Sequence, residues 1–307
     1  MSDLVITGAT GFVGQRLVKK ALDQEHRVEA WVRSPEKLEE LKSSNLEIIQ
    51  WRANGEEAMA SRLESVDAVV HLAAYLPPSY GDQNQAEECF RVNALGTLEL
   101  LEACSEADVD KFVFTSSGNV YTPGHESVDE NSPTYPSWRA PYYLTSKLSG
   151  EVFVDHFRRS DALESTVILR PPAIYGPGMK GGVVPLFAQR LLAGEPIQVN
   201  DGGRHRVDLV FVDDVVDAIL AAVARDVSGP FNIGSGTRPS ILELAQSLVS
   251  ICDVPEDLVE VEPASDGDEG DSTGFSGLDI QRARRELDYD PRSLEEGLRR
   301  YVDSLRE

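Results

Sequence analysis

The sequence of 307 residues predicts an α/β fold in which a doubly wound parallel sheet carries a smaller C-terminal α+β lobe. Three features of the chain predict this fold. Short apolar segments alternate with helical segments through the first part of the chain, which is the pattern of a parallel sheet with covering helices. A glycine-rich turn joins the first apolar segment directly to a helix. Beyond Arg170, prolines and glycines interrupt this alternation, which indicates a change of architecture.

The first strand begins at Leu4 and ends in a turn of spacing G-x-x-G-x-x-G, formed by Gly8, Gly11 and Gly14. Gly8 is expected to make the tight turn, and Gly14 to let the following helix pack against the strand. Gly11 is expected to let backbone N–H groups approach a pyrophosphate at the positive end of the helix dipole. A glycine-rich β-turn without a ligand is the alternative. The order of strand, turn and amphipathic helix nevertheless predicts a Rossmann-like dinucleotide site.

The other strands of the sheet are expected where short apolar runs are bounded by turn residues. These runs lie at 27–32, 46–51, 67–72, 111–115 and 165–169. Two long helices are expected between them, at 83–107 and 143–159. Ser34 and Pro35 open a shorter helical stretch as its cap and first-turn residues.

The elements beyond residue 170 are shorter. Strands are expected at 207–212 and 231–234, with helices at 183–193, 213–224, 241–251, 278–287 and 293–305. Asp213 or Asp214 is expected to cap the second of these helices, and 263–277 to form an acidic, glycine-rich loop. The pattern predicts a dinucleotide-binding Rossmann domain at 1–170, to which a strand and helix near 207–225 return. A substrate-binding lobe at 171–307 is expected to be interleaved with it.

The formal charge of −23 and the pI of about 4.6 exclude some partners. Such a surface repels nucleic acid and anionic membranes, so neither is an expected partner. Apolar runs stay below the ~18 residues that a membrane span requires. An excess of acidic residues with few lysines fits a protein adapted to high salt and equally an ordinary acidic cytosolic enzyme, so both interpretations stay open.

The three cysteines, Cys89, Cys104 and Cys252, are widely spaced and form no metal-binding or redox motif. A metal site is therefore not expected, whereas a reducing compartment is. The chain opens with a strand rather than with a charged and then apolar leader, so a cytoplasmic location is expected.

Tyr143 and Lys147 stand at positions i and i+4, on one face of an expected helix. A phenol with a pKa of about 10 is a poor base, and lowering that pKa to neutral pH needs roughly 4 kcal/mol of differential stabilisation. A neighbouring ammonium and a positively charged nicotinamide would both favour the phenolate. Ser117, which follows the strand at 111–115, is placed to hydrogen-bond a substrate oxygen against the phenol. A solvated helix face is the alternative for the pair, but its order after a nucleotide turn and a serine-ended strand predicts a catalytic role.

Together with further motifs, these residues resemble an extended short-chain dehydrogenase/reductase, of the NAD-dependent epimerase/dehydratase family. The resemblance covers essentially the whole chain. The matching segments are T-G-A-T-G-F-V-G at 7–14, H-L-A-A at 71–74, V-N-A-L-G-T at 92–97, F-T-S-S-G-N-V-Y at 114–121, Tyr143 with Lys147, R-P at 170–171, Y-G-P-G at 175–178 and V-D-D at 212–214.

The resemblance implies that Tyr143 is the general acid/base, that Lys147 binds the nicotinamide ribose and lowers the pKa of Tyr143, and that Ser117 orients the reacting oxygen. Asn93 falls where the family has a residue tied to the active-site framework. The two long helices resemble those that form a homodimer in the family. The cofactor contacts implied by the resemblance are Gly8, Thr10, Gly11, Phe12, Val13, Gly14, Leu72, Ala73, Ala74, Asn93, Tyr143 and Lys147.

The end of the second strand bears on the choice of cofactor. A carboxylate there would bind both ribose hydroxyls and select NAD. The family position for that acid falls on Val32, and Arg33 follows it. A guanidinium suits the 2′-phosphate of NADP, because the two groups form paired, charge-assisted hydrogen bonds. NADP is therefore favoured over NAD as the cofactor, and a solvated strand end is the alternative for Arg33.

The first hypothesis for the substrate is a small molecule, a sugar or sugar nucleotide, that undergoes hydride transfer at a secondary alcohol or ketone carbon in an epimerase or oxidoreductase. Gly118 and Asn119 stand where the family's sugar-nucleotide 4,6-dehydratases carry an acidic pair, which argues against dehydration. A solvated loop is the alternative for the basic segment at 204–206. The expected substrate contacts are Ser117, Asn119, Tyr143, Arg204 and Arg206.

Two other functions stay open. Arg33, Pro171-Pro172 and the segment at 206–208 are also similar to ketone and hydroxysteroid reductases, which act on substrates without a nucleotide. A protein that kept the fold and NADP(H) binding but lost the chemistry would be a sensor. The intact set of Ser117, Tyr143 and Lys147 argues against a sensor, since cofactor binding alone does not require it.

Overall fold

The computed structural model describes residues 1–38, 41, 43–53, 59–123, 125–136, 140–264 and 277–307. Its strands are β1 (Asp3–Thr7), β2 (Arg27–Val32), β3 (Leu46–Gln50), β4 (Ala68–His71), β5 (Lys111–Thr115), β6 (Ser127–Val128), β7 (Ser165–Arg170), β8 (Ala173–Tyr175), β9 (Ile197–Val199), β10 (Leu209–Phe211), β11 (Gly229–Asn232), β12 (Val259–Val261) and β13 (Gly277–Leu278).

The α-helices are α1 (Phe12–Asp23), α2 (Ala60–Leu63), α3 (Ala86–Cys89), α4 (Gly96–Glu106), α5 (Pro141–Arg159), α6 (Val183–Leu192), α7 (Val212–Ala224), α8 (Ile241–Cys252), α9 (Gln281–Leu287) and α10 (Leu294–Arg306). Within the described residues, no helix is both long enough and apolar enough to cross a membrane.

A parallel sheet of seven strands forms the centre, in the order β11-β7-β5-β4-β1-β2-β3. The chain runs outward from β1 to β3 and then returns to β4 on the other side of β1, so the direction of winding switches between β1 and β4. Thr7 pairs in register with His71, and His71 with Phe114. The carboxyl ends of β1, β4 and β5 therefore meet at one edge. This topology confirms the predicted Rossmann-like, doubly wound α/β fold.

The predicted helix at 83–107 forms as four consecutive helical pieces. A 3₁₀ turn (Gln83–Gln85) and α3 lead into a π-helical segment (Phe90–Leu95), which continues as α4. Within the π-helical segment, the Asn93 carbonyl accepts a hydrogen bond of 2.7 Å from the Thr97 hydroxyl. Single π-helical turns inside α-helices are frequent at functional sites, and this one carries Asn93.

The strand that returns to the main sheet is β11, which pairs with β7. The prediction of a returning strand near 207 was therefore wrong: β10 pairs instead with β8, in a separate two-stranded sheet. The helix predicted after it is α7, and α1 packs against it through an ion pair of 3.0 Å between Arg16 and Asp213. The division at residue 170 stays a prediction.

Three further expectations differ from the structure. The N-cap of α7 is Phe211, whose side chain makes no capping hydrogen bond. Asp213 and Asp214 lie in the first turn, where Asp213 pairs with Arg16 and Asp214 with Arg292. The helix expected from residue 278 begins at residue 281, because 277–278 pairs with β6 as a strand. Most of the expected loop at 263–277 lies outside the described residues.

The C-terminal lobe has an apolar cluster of its own, distinct from the clusters that cover the main sheet. It joins α6, α8 and α10, and its buried members include Phe187, Leu191, Leu244, Leu248 and Leu298.

We predict that Gly14→Ala lowers the free energy of unfolding by about 1–3 kcal/mol, because the new Cβ overpacks a rigid backbone contact. That Cβ would lie 2.7 Å from the Cα of Ala9 and closer still to the Gly8 carbonyl oxygen. Urea unfolding followed by circular dichroism measures the change. Gly181→Ala is the control, because a Cβ there meets nothing within 4 Å. Equal stability losses for the two variants would contradict the close packing of α1 on the turn.

Candidate active site

The glycine-rich turn forms a backbone cradle at the carboxyl end of β1. Gly8 has a left-handed φ of +69°, and a Cβ on it would lie 2.6 Å from the Ala73 nitrogen. A Cβ on Gly14 would clash with the backbone of Ala9. Gly11 is the N-cap of α1, where no side chain caps the helix and no acidic residue stands in the first turn. The cradle thus presents the free N–H groups of a helix N-terminus, which suit an anion.

Seven further predicted cofactor residues follow the ends of β1, β2 and β4 along the same sheet edge. Arg33 follows β2 and is exposed. Arg33 also lies near Glu88, since the pKa of the Glu88 carboxyl is lowered first by a hydrogen bond from Arg91 and further by the charge of Arg33. The remaining residues, all partly buried, are Thr10, Phe12, Val13, Leu72, Ala73 and Ala74.

Tyr143 and Lys147 lie on successive turns of α5. Lys147 is only 2% exposed, and its Nζ lies 4.3 Å from the centroid of the Phe114 ring on β5. Tyr143 is partly buried, and its ring packs edge-on against the ring of Tyr80 with centroids 5.8 Å apart. A cation–π contact therefore holds the ammonium over the Phe114 ring, near the carboxyl end of β5.

Burial acts on both ionisable groups of this pair. It lowers the pKa of Lys147 to about 7, and the Glu151 carboxylate acts in the opposite direction. It raises the pKa of Tyr143 above its usual range, and Tyr80 and Cys89 add to that rise. Desolvation of the phenol is the largest effect on Tyr143 among the protein groups, so the role of Lys147 in lowering the pKa of Tyr143 stays a prediction.

Ser117 lies at the end of β5, at the start of a 3₁₀ turn (Gly118–Val120) that packs against α5. Its Oγ accepts a hydrogen bond of 3.2 Å from the backbone N–H of Asn119. The Gly118 N–H donates to the Pro171 carbonyl at 2.6 Å, which fixes the turn. The bond from Asn119 uses a lone pair of Oγ, so the hydroxyl proton is left to donate to another oxygen.

A buried hydrogen-bond relay behind the site determines the tautomer of His71. The Thr97 hydroxyl donates its proton to the Asn93 carbonyl, so it must accept the bond of 3.1 Å from Nε2–H of His71. Nδ1 then accepts from the Thr7 hydroxyl at 2.7 Å, and Thr7 Oγ1 accepts from the Ala73 N–H at 3.2 Å. Burial, and to a smaller extent the charge of Lys147, lowers the pKa of His71 to about 3. His71 is therefore a neutral imidazole in the Nε2–H form.

Asn93 connects three parts of the site through its amide group. Its Oδ1 accepts from the Tyr75 N–H at 2.6 Å, and its Nδ2 donates to the Ser146 hydroxyl at 3.0 Å. The Ser146 hydroxyl in turn donates to the Tyr143 carbonyl at 2.7 Å. These bonds hold the loop after β4 against the first turns of α5, which fits the framework role implied by the resemblance.

The structure places the two predicted substrate arginines at the surface of the C-terminal lobe. Arg204 pairs with Asp201 at 3.3 Å. Arg206 donates to the Arg238 carbonyl at 2.8 Å and lies 3.4 Å from the Glu243 carboxylate. Neither arginine has a described contact with the residues on α5.

Sequence reasoning missed several residues that shape the site: Thr7, Tyr80, Thr97 and Ser146. Thr7, His71 and Thr97 lie within the family motifs. Their hydrogen-bond relay could not be predicted, because it depends on the register that places Thr7 of β1 beside His71 of β4. Tyr80 lies in an irregular loop without a periodic pattern, so no local signal indicated its contact with Tyr143.

The profile of the NAD dependent epimerase/dehydratase family matches residues 4–234. UDP-glucose 4-epimerase of Mycolicibacterium smegmatis is 32% identical over 323 aligned positions, which cover 98% of each chain.

Two solved structures superpose on nearly the whole chain. MoeE5 in complex with UDP-glucose and NAD has a TM-score of 0.82 at 28% identity, and the match covers 99% of this chain and 98% of that one. UDP-glucose 4-epimerase of Thermotoga maritima with UDP-glucose has a TM-score of 0.82 at 29% identity, with the same coverage.

We predict that His71 stays neutral, as the Nε2–H tautomer, from pH 5 to pH 8, since burial lowers its pKa to about 3. Long-range ¹H–¹⁵N correlation spectra of the imidazole nitrogens report both the tautomer and its titration. Thr97→Val identifies the relay, because it leaves Nε2–H without its acceptor and should cost about 1–3 kcal/mol of stability. A His71 signal that titrates with a midpoint near 6.5 would refute the relay as assigned.

Proposed function

The chain belongs to the NAD-dependent epimerase/dehydratase family, and from this premise we propose that it transfers hydride at a secondary alcohol or ketone carbon of a sugar nucleotide. Tyr143 is the proposed acid/base of this reaction. The observation that supports it most directly is the pairing of Tyr143 with a buried Lys147 at the carboxyl edge of the sheet. The names of the relatives favour a sugar nucleotide over the ketone and hydroxysteroid substrates, and an enzyme over a silent sensor.

The residues at the glycine-rich turn fit a dinucleotide. Gly8 and Gly14 leave the backbone bare where a Cβ would clash, and the N-terminus of α1 carries neither a cap nor an acid. Gly11 and its neighbours would hold the pyrophosphate by backbone N–H groups. When bound, an oxidised nicotinamide supplies the hydride acceptor and a positive charge that favours the phenolate of Tyr143.

Three side chains, those of Tyr143, Lys147 and Ser117, have separate roles in the proposed reaction. The Tyr143 oxygen accepts the proton of the substrate hydroxyl while hydride leaves the carbon that bears this hydroxyl. Tyr143 returns the proton in the reverse step. The Lys147 ammonium is proposed to stabilise the phenolate and to bind the nicotinamide ribose. Ser117 donates its hydroxyl proton to the reacting oxygen and so orients it.

A UDP-hexose is the proposed substrate, since two relatives are UDP-glucose 4-epimerases and the MoeE5 structure holds UDP-glucose. Epimerisation at one sugar carbon is the proposed outcome. Asn119 lies beside Ser117 and is a proposed contact to the sugar. Arg204 and Arg206 are proposed to bind the diphosphate, for which they would exchange their present carboxylate partners.

The proposed cofactor is NADP, with NAD as the alternative. Arg33 follows Val32 at the strand end where an NAD-selective carboxylate would stand. An exposed guanidinium there would bind the 2′-phosphate in exchange for its interaction with Glu88. MoeE5 holds NAD in its solved complex, which supports the alternative.

A homodimer in the cytoplasm is the proposed state of the protein. The long helices expose Phe90, Leu95 and Val152 by 37%, 50% and 60%, and burying them against a second copy would remove apolar surface from water. Cys89, Cys104 and Cys252 are free and buried, which supports a reducing compartment. Light scattering of the purified protein tests the dimer.

We predict that Tyr143→Phe lowers kcat for epimerisation of UDP-glucose by about 10²–10⁴-fold, because the proton transfer loses its acid/base. NADP(H) affinity should change little, since the ring remains. Tyr142→Phe, one residue earlier on α5, is the matched control and should keep kcat. Coupled spectrophotometric assays give kcat. Equal activity of both variants would contradict the assignment of Tyr143 as the acid/base.

We predict that Arg33→Ala weakens NADP binding by about 10–100-fold and leaves NAD binding unchanged, because one charge-assisted contact to the 2′-phosphate is lost. Isothermal titration calorimetry measures both affinities. Arg27→Ala, at the opposite end of β2, is the control. Unchanged NADP affinity in Arg33→Ala would show that NADP is not selected by this residue.

A further inference from the structure

A buried ion pair lies one helical turn beyond Lys147. Glu151 on α5 is 4% exposed, and Arg170 at the end of β7 is 6% exposed. The Arg170 Nε donates to one Glu151 oxygen at 3.0 Å, and Nη2 donates to the other at 2.6 Å. Because an unpaired buried carboxylate is costly, this two-point contact fixes both the charge and the orientation of Glu151.

The far side of Arg170 is anchored as well. Its Nη1 donates to the Tyr121 hydroxyl at 2.8 Å, and that hydroxyl donates to Oδ1 of Asn232 at 2.6 Å. The side-chain nitrogen Nδ2 of Asn232 donates to the backbone carbonyls of Val128 and Asp279 at 3.1 and 3.0 Å. The guanidinium therefore has little freedom to leave Glu151.

The groups that face Lys147 come from three elements. On α5 they are Tyr143, one turn before it, and Glu151, one turn after it. From β4 the nearest titratable group is His71, which is neutral, and from β5 the Phe114 ring packs on the ammonium. Cys89 adds a thiol close to Tyr143. Glu151 is thus the carboxylate that acts on Lys147.

We infer that Glu151 is a positioning residue: its carboxylate, held by Arg170 one helical turn from Lys147, keeps the Lys147 ammonium charged beside Tyr143. This inference rests on the proposed function, because it assigns a task to Glu151 in the same reaction. Burial lowers the pKa of Lys147 to about 7, and Glu151 opposes that fall. Without the carboxylate, Lys147 would release its proton at a lower pH and could no longer stabilise the phenolate at neutral pH.

The direct test is a pH titration of Lys147 by ¹³C NMR in protein labelled at lysine Cε. The chain has seven lysines, so the spectrum is simple, and Lys147→Arg identifies the signal. In Glu151→Gln, the Lys147 midpoint should fall by about one pH unit or more relative to wild type. Asp155→Asn, further along α5, is the matched control and should leave the midpoint unchanged. A wild-type midpoint in folded Glu151→Gln would overturn the inference.

The double variant Glu151→Gln/Arg170→Met covers the case in which an unpaired arginine prevents folding. It removes both buried charges, so the midpoint should still fall, but by less than in the single variant. Glu151→Asp keeps the charge and should restore much of the wild-type midpoint. A wild-type midpoint in the folded double variant would also overturn the inference.

The pH profile of kcat separates this inference from the proposed function. In Glu151→Gln, the alkaline limb should move to lower pH by the same amount as the Lys147 midpoint, with activity retained at lower pH. A uniform loss at every pH would mean a merely structural role. Wild-type protein that is inactive with sugar nucleotides, but whose Lys147 midpoint depends on Glu151, would refute the proposed function and leave the electrostatic inference standing.

Discussion

A lysine ammonium buried at the edge of a parallel sheet is the constraint around which this structure is organised. Moving an ion out of water costs several kcal/mol, so the surroundings must compensate. The Phe114 ring packs on Nζ, and Glu151 supplies a carboxylate one turn away. His71 stays neutral mainly because it is buried and, to a smaller extent, because Lys147 would repel a second cation. The side chains that β4, β5 and α5 place around Lys147 are therefore constrained together.

The parallel register explains why these groups meet beside the glycine-rich turn. β1 lies next to β4, and β4 next to β5, so Thr7, His71 and Phe114 form one row across the sheet. The backbone of Gly8 touches the chain just after β4, which is possible only without a Cβ. The same edge thus carries a cradle suited to phosphate and, a short distance along it, a phenol with its ammonium. This juxtaposition is what doubly wound folds provide at the point where the winding reverses.

Much of this fold could be predicted from the sequence, because buried parallel strands are local apolar runs; β2 and β5 have the predicted bounds. The pairing of short strands could not be predicted. β10 is an apolar run, whereas β11 contains a glycine, a proline and an asparagine, yet β11 is the strand that joins β7, because tertiary contacts decide the pairing. Asp213 and Asp214 have the composition of helix caps, but their partners Arg16 and Arg292 lie 197 and 78 residues away. The pKa of Tyr143 likewise depends on burial, which no local pattern reveals.

We propose that Lys147 and a bound oxidised nicotinamide together overcome the desolvation of Tyr143 and make it a base at working pH. Ultraviolet difference spectra of the phenolate, recorded as a pH titration with and without NADP⁺, report this ionisation, and Tyr143→Phe identifies the residue responsible. We expect one tyrosine to ionise near neutral pH in the complex and this ionisation to be absent from Tyr143→Phe. A complex in which every tyrosine ionises at or above a pH of about 10 would contradict it.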